Sequence, residues 1–268
     1  MHERKLIIHV EKIVNLFRSM HRKDNLIYIT LISFFTFATV FINPYCLNAH
    51  EKPFSFNVEQ DLVSVVPVDD RIYELPPEAK KFIPSDYEIF VGATGDLNKD
   101  TMNDIAVVLS FKDEEENIDD IESIPSRKLM ILFKTDDGYT LGILKDSVIL
   151  CKFCGGAFGD PLWDIKINGE VLTISHYSGS AWRWGFDHKY KFIESEFYLI
   201  AETHIGYHNI AWCDSLDNYY NYSREEYDYL TGEYSIIEIS DCQIVKDEKG
   251  IKKPEHLIKL EDFVFQLD

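Results

Sequence analysis

The chain has 268 residues, a formal net charge of −19 at pH 7 and an aromatic content of 14%. So acidic a chain is repelled by phosphate backbones and by anionic lipid, which argues against nucleic acid as a partner. Its length suits one well-formed core, and its Tyr and Phe content suits strands packed side by side.

Residues 26–42 are apolar except for Tyr, Thr and Ser, with Arg22 and Lys23 before them and Asn43-Pro44 after. A membrane-spanning helix wants about 20 such residues and a signal-peptide core about 7–15, so the run lies between the two. The basic pair keeps the amino side in the cytoplasm either way. Leu47-Asn48-Ala49 puts a small residue at the cut position, so residues 1–49 are expected to be a cleaved signal peptide with its helix, the exported protein starting at His50. An uncleaved signal anchor over residues 26–42 is the alternative and would be the chain's one membrane contact. Tyr45-Cys46 is a poor lipidation site because the residue before a lipidated Cys should be small. Met20-His21-Arg22-Lys23 opens an ordinary basic region and Met1–Ser19 an unusually long one, so Met20 is the better start. The expected location is periplasmic or extracellular. Residues 1–49 carry six Lys/Arg and three Asp/Glu, so their removal takes the net charge to −22.

Residues 50–75 read as an extended entry segment, and a single β-rich domain is expected over residues 76–268. Pro76 to Ile83 reads as a short helix with proline at its start and Pro84 at its end. Tyr87–Val91 alternates polar and apolar residues, as a strand does. Asp104–Phe111 is a β-branched apolar run that reads as a buried strand. Between them, residues 96–104 carry oxygen-bearing side chains at alternate positions: Asp96, Asn98 and Asp100, then the Met102 carbonyl and the Asp104 carboxylate. Ca²⁺ takes six to eight oxygens, and a coiled loop aims such positions at one centre. An EF-hand is excluded, because Val107 stands where the bidentate Glu would be and a strand follows. The competing reading is an Asp/Asn-rich turn that binds no metal.

Gly95-Asp96-Leu97-Asn98-Lys99-Asp100, with Asn103-Asp104-Ile105-Ala106-Val107-Val108 after it, resembles the calcium loop of FG-GAP repeats, the blades of integrin-α-like β-propellers. The resemblance implies calcium as the cofactor and a propeller-like architecture. Such loops carry Gly at position six, where the turn is sharp. Thr101 stands there in this chain, which weakens the expected site.

Asp113 to Glu122 reads as a solvated acidic loop. Strands are expected at Lys128–Lys134, Tyr139–Leu144, Ser147–Cys151, Asp164–Ile167, Val171–Tyr177, Trp182–Phe192, Phe197–Thr203, Tyr227–Tyr229 and Ser235–Val245. Asp136-Asp137-Gly138, Asn168-Gly169 and Thr231-Gly232 supply turns between them. Pro254 to Leu260 reads equally as a short helix or an edge strand. The expected fold is mainly β, made of antiparallel meanders in an incomplete propeller-like stack, with a β-sandwich as the alternative. Phe82 to Tyr87, Cys151 to Pro161, Leu172 to Trp184 and Tyr229 to Gly232 also resemble, in the same order, a family of exported bacterial proteins of unknown function. That resemblance implies export and no particular reaction.

Cys151 and Cys154 flank two residues and precede Gly155-Gly156, which opposes the helix of a thioredoxin-like motif. Structural disulfides are the expectation in an oxidising compartment; reduced thiols and a zinc or redox site remain open. His176, near Ser178, Ser180 and Arg183, lacks any pattern that marks a catalytic triad. Trp182 and Trp184 share a strand face with Arg183 opposite, and read as core before platform. Asn221-Tyr222-Ser223 matches a glycosylation sequon, which is irrelevant if the source is bacterial. The functional expectation is an exported, calcium-stabilised, non-catalytic binding or envelope protein whose ligand the sequence does not identify, with no assigned catalytic residue. The alternative is a secreted glycan hydrolase using carboxylates among Asp214, Asp217, Glu225 and Glu226 beside Trp212, Tyr219 and Tyr220.

Overall fold

A computed structural model describes residues 72, 74–112, 114, 126–214, 216 and 218–265. The signal region, most of the entry segment, Asp217 and nearly all of the acidic loop lie outside the described residues. The described strands are β1 (Tyr87–Gly95), β2 (Asp104–Phe111), β3 (Lys128–Thr135), β4 (Gly138–Asp146), β5 (Leu162–Asn168), β6 (Val171–Gly179), β7 (Trp182–Ile193), β8 (Glu196–His208), β9 (Trp212–Cys213), β10 (Asn218–Tyr219), β11 (Tyr222–Asp228), β12 (Glu233–Ser240) and β13 (Gln243–Ile251). Among the described residues there is no α-helix, and the protein is mainly β.

All the strand pairings are antiparallel, in one four-stranded sheet ordered β1-β2-β3-β4 and one seven-stranded sheet ordered β13-β12-β11-β8-β7-β6-β5. The β9–β10 hairpin stands apart, inserted in the chain between β8 and β11. Neither sheet closes into a barrel, and the described residues form no propeller.

The first sheet is apolar on both faces, which explains why β2 is a continuous run of buried residues rather than an alternating one. On one face Ile105, Val107, Leu109, Met130 and Leu132 pack under Leu75 and Ala79 of the entry chain. On the other, Ala106, Val108, Leu129 and Ile131 share a core with Ile165, Leu172, Ile174, Tyr190 and Leu199 of the second sheet. Gly95 at the end of β1 packs directly against Ile167 of β5. A Cβ there would lie 2.5 Å from Ile167 Cγ2, so no larger residue fits just before the Asp96 loop.

Arg127, just ahead of β3, is fully buried and bonded on two sides. Its Nε and Nη2 donate to the Glu114 carboxylate at 2.9 Å each, and its Nη1 and Nη2 to Asp160 at 2.9 and 2.7 Å. The guanidinium also lies 4.4 Å from the centroid of the Phe90 ring on β1. Asp160 in turn accepts from Leu162 N at 3.0 Å, the first residue of β5. One side chain thus joins the first sheet to the strand that opens the second, with four of its five N–H donors used on charged acceptors.

Several expectations are corrected. Residues 76–83 form turns and one 3₁₀ turn, Lys80–Phe82, in place of a helix; Ile83 before Pro84 is extended, as its neighbour's ring demands. Ser147 to Cys151 is bent rather than a strand, because its peptide groups bond elsewhere: Leu150 N donates to His176 and Ser147 O accepts from Phe265 N. Ser235–Val245 is two strands, β12 and β13, joined at Asp241-Cys242, both with positive φ (50° and 59°). That pair of angles is the geometry of a type I′ turn, here built without glycine. Glu114 is buried against Arg127, unlike the solvated residue the acidic run suggests. Residues 254–260 are neither helix nor strand; Leu199 N donates to Ile258 O and Leu260 N to Phe197 O, so the segment lies along the start of β8.

Candidate functional site

The loop of residues 96–104 joins β1 to β2. Asp96 accepts from the backbone N–H groups of Lys99, Asp100 and Thr101, Asn98 Oδ1 from Asp100 N, and Asp100 Oδ1 from Met102 N. These bonds wind the chain tightly enough to force Lys99 and Thr101 to φ 69° and 71°. For the β-branched Thr101 this left-handed geometry costs on the order of 1–2 kcal/mol, at the position where the sequence lacks the expected glycine. Asp104 is different in kind: it is fully buried, and its two oxygens accept from Leu97 N and Lys134 N at 2.9 Å each. Burial raises its pKa, the two N–H donors oppose the rise, and the Asp100 and Asp96 charges add to it. Asp104 therefore ties the loop to β3, while Asp96 and Asn98 turn onto the loop's own N–H groups and Asp100 is exposed.

Residues 151–161 form a second structured loop. Cys151 and Cys154 are paired as a disulfide, and so are Cys213 and Cys242. The second bridge pins the β9–β10 hairpin to the β12–β13 turn. A Cβ on Gly155 would lie 1.8 Å from Gly159 O and 2.3 Å from Ser178 Oγ, so the loop presses on β6 only because residue 155 has none. Ser178 Oγ donates to Gly155 O, and His176 Nε2 accepts from Leu150 N at 3.3 Å. His176 and Ser178 thus hold the loop down and do not form a nucleophile–base pair.

Cross-strand register places the remaining polar groups. Ile174, His188, Glu202, Tyr227 and Tyr234 are successive partners across β6, β7, β8, β11 and β12 and so share one face of the second sheet. This row begins in the core and ends in solvent. Where it leaves the core, His188 Nε2 and His204 Nε2 lie 3.9 and 3.5 Å from the same oxygen, Glu202 Oε2, while Tyr229 Oη donates to Oε1. Among the described residues this is the group that gathers three His, Cys, Asp or Glu ligand atoms within 4.8 Å. Burial pushes the His188 imidazole down to about 4, with Glu202 opposing and His204 adding to the shift. Burial alone would raise the Glu202 carboxyl, but the bonds from His204 and Tyr229 outweigh it and lower it. No sequence motif marks this group. The only local trace is Glu202-Thr203-His204, which alternation in a strand places on one face.

The opposite face carries an aromatic strip. Trp163 and Phe158 meet Tyr177 edge-on at 5.5 Å each, the Tyr177 and Tyr207 hydroxyls bond at 2.6 Å, Tyr207 stacks on Tyr219 at 4.2 Å, and Tyr219 meets Trp212 at 4.9 Å. Arg183 lies over Phe158 at 4.1 Å. The two ends are open, with Phe158 47%, Trp163 36% and Trp212 48% exposed. Trp182 is also exposed, against His208 on the other face, and Trp184 is half-buried against Phe186. Further along the strip's own face, a groove of about 620 Å³ is lined by Lys189, Thr203, Glu226, Asp228 and Lys249, charges of both signs.

Among the described residues, the candidate hydrolase carboxylates are not gathered. Glu225 and Glu226 are adjacent on β11 and so point to opposite faces, Glu225 accepting from Tyr227 Oη and Glu226 paired with Arg224 at 2.7 Å. Asp214 is exposed at the end of β9, and Tyr220 follows β10 at the surface. No family model, curated protein or solved structure matches the chain.

The two buried imidazoles set an acid limit. Burial, with the His188 and Arg127 charges adding, pushes His176 down to about 3. An unfolded histidine takes up a proton near pH 6.5, so the unfolded state binds more protons below that pH and stability falls until the folded pKa is reached. Each imidazole costs up to roughly 1.4 kcal/mol per pH unit in that window. Melting temperature is expected to drop between about pH 6.5 and 5, before most carboxylates titrate. His176→Gln, which keeps an acceptor for Leu150 N, should shallow that drop. Equal slopes for the two proteins would show that His176 is not held neutral.

Proposed function

We propose that this chain is an exported, calcium-stabilised, non-catalytic binding protein of the cell envelope, and that the aromatic strip is its ligand face. The observation that carries the reading is the row Trp163, Tyr177, Tyr207, Tyr219 and Trp212, whose open ends flank the half-buried Tyr177 and Tyr219 and the buried Tyr207. The exposed Phe158, Trp163 and Trp212 at the two ends give the strip apolar ring faces that a ligand can cover. The Cys213–Cys242 bridge supports it by fixing the hairpin that carries Trp212 and Tyr219, which limits the ordering cost of binding. Rings with one apolar C–H face, as in the pyranose sugars of an envelope glycan, are the chemistry such a strip would take. The disulfides are compatible with an oxidising, exported location. A secreted glycan hydrolase is the second reading, and the strip would serve it as a substrate platform.

Calcium would enter as a structural cofactor at Asp96, Asn98, Asp100, the Met102 carbonyl and Asp104. The resemblance to FG-GAP loops supports this, and so does the position of the loop as a β1–β2 connection in a meander sheet. The same meander could be a blade of an incomplete propeller-like stack or one layer of a sandwich. An ion bound to the native state at a hundred times its dissociation constant adds about 2.7 kcal/mol. Melting temperature should therefore rise by roughly 5–10 °C in calcium over chelator. Asp100→Ala should remove most of the rise, and Met102→Ala, which keeps the carbonyl, should not. An identical melt in calcium and in chelator refutes the cofactor.

For the ligand face, binding to purified envelope polysaccharides measured by affinity electrophoresis should weaken at least tenfold in Trp163→Ala and in Trp212→Ala. Ile210→Ala, an exposed apolar change outside the strip, should leave it unchanged. Binding that survives both tryptophan changes places the ligand elsewhere, and shortening of the polysaccharide by the wild type would establish the hydrolase.

A further inference from the structure

We propose that His188, Glu202 and His204 form a binding site for a divalent transition metal of the zinc class, with one coordination position left open. The three residues come from two neighbouring strands. His188 on β7 is the register partner of Glu202 on β8, and His204 follows Glu202 by two residues, so all three project from one face. Their ligand atoms lie within 4.8 Å of one another. Tetrahedral coordination at about 2.0–2.1 Å sets ligand atoms roughly 3.3–3.5 Å apart. The His204–Glu202 separation of 3.5 Å already matches this, and the His188–Glu202 separation of 3.9 Å needs a small contraction.

The same distances are poor for hydrogen bonding. At 3.9 Å His188 makes no hydrogen bond to Glu202, and at 3.5 Å His204 is at the outer limit. The two imidazole nitrogens and one carboxylate oxygen nonetheless lie within 4.8 Å of one another, close enough to share one ion. Two imidazoles and a carboxylate suit zinc and its neighbours, whereas calcium and magnesium prefer all-oxygen sets. This separates the site from the Asp96 loop.

The surroundings fit the role. Tyr229 Oη donates to Glu202 Oε1, which fixes the carboxylate and leaves Oε2 for the metal, the type of outer contact that orients ligands in metal sites. His188 is walled by Phe263 at 5.0 Å and Phe265 at 4.9 Å, and Phe186 packs on His204 at 4.8 Å. The approach is from the His204 side, whose side chain is 35% exposed against 3% for His188. Three protein ligands with one open side leave a place for water or an anionic ligand, in contrast to the four-ligand closure of structural zinc sites.

The test is equilibrium dialysis of the full-length chain against Zn²⁺, with metal content per chain as the readout. The wild type should take up one zinc per chain. His204→Ala should weaken uptake at least a hundredfold, and Tyr229→Phe, which leaves all three ligands in place, about 10–100-fold. Asp100→Ala should bind zinc as the wild type does, which separates this site from the calcium-type loop. If His204→Ala melts well below the wild type in chelator, Tyr229→Phe decides the question alone. No zinc uptake by the wild type, or uptake unchanged in Tyr229→Phe and His204→Ala, overturns the proposal.

Discussion

A buried arginine holds this fold together. Removing a guanidinium from water costs several kcal/mol, and only well-placed opposite charges recover it. Arg127 meets that condition with bidentate bonds to Glu114 and Asp160 and with the Phe90 ring. Burial works to lower its pKa, and the bonds from Asp160 and Glu114 more than reverse this. The consequences spread outward. Asp160 ends the disulfide loop and starts β5, Pro161 O accepts from Tyr177 N, and Gly155 packs on Ser178. Three separate chain segments are therefore placed by one charge.

With β5 and β6 fixed, the second sheet extends past the region that the first one covers. Its edge strand β13 is held by pairing more than by burial, as the exposure of nearly every one of its residues shows. Polar chemistry collects where cover ends. On one face, the row from Ile174 to Tyr234 changes from hydrocarbon to imidazole, carboxylate and phenol within five strands. On the other, Tyr177 and Tyr207 join the exposed Trp163 to the disulfide-bound hairpin bearing Trp212. Both candidate surfaces arise from the same mismatch between a four-stranded and a seven-stranded sheet.

How much of this the sequence revealed follows from how local each signal is. The run Ile105 to Leu109 names a doubly buried strand outright, and Asn168-Gly169 marks a two-residue hairpin where Gly169 takes φ 60°. Thr101 stands where a sharp turn calls for glycine, and it takes φ 71° there. By contrast, Asp241-Cys242 gives no glycine to announce its turn, because that turn is held partly from outside, by the bond from Cys242 to Cys213. The partners of Arg127 lie 13 and 33 residues away, and Glu114 sits in a run of carboxylates that composition alone reads as solvated. His188 and Glu202 meet only through the β7–β8 register, which the bulge between Lys189 and Tyr190 interrupts. Sites made by pairing across strands leave almost no trace in a linear pattern.

The claim at the centre of this account is that Arg127 and Asp160 act as one unit between the two sheets. A double-mutant cycle with Arg127→Ala, Asp160→Ala and the double variant, each unfolded in urea, measures that directly. Coupling on the order of 1.5–3 kcal/mol is expected, with each single change strongly destabilising and the double change little worse than the arginine change alone. Additive single effects, with coupling below about 0.5 kcal/mol, would mean that the two side chains stabilise the fold independently and that the arginine is not the link.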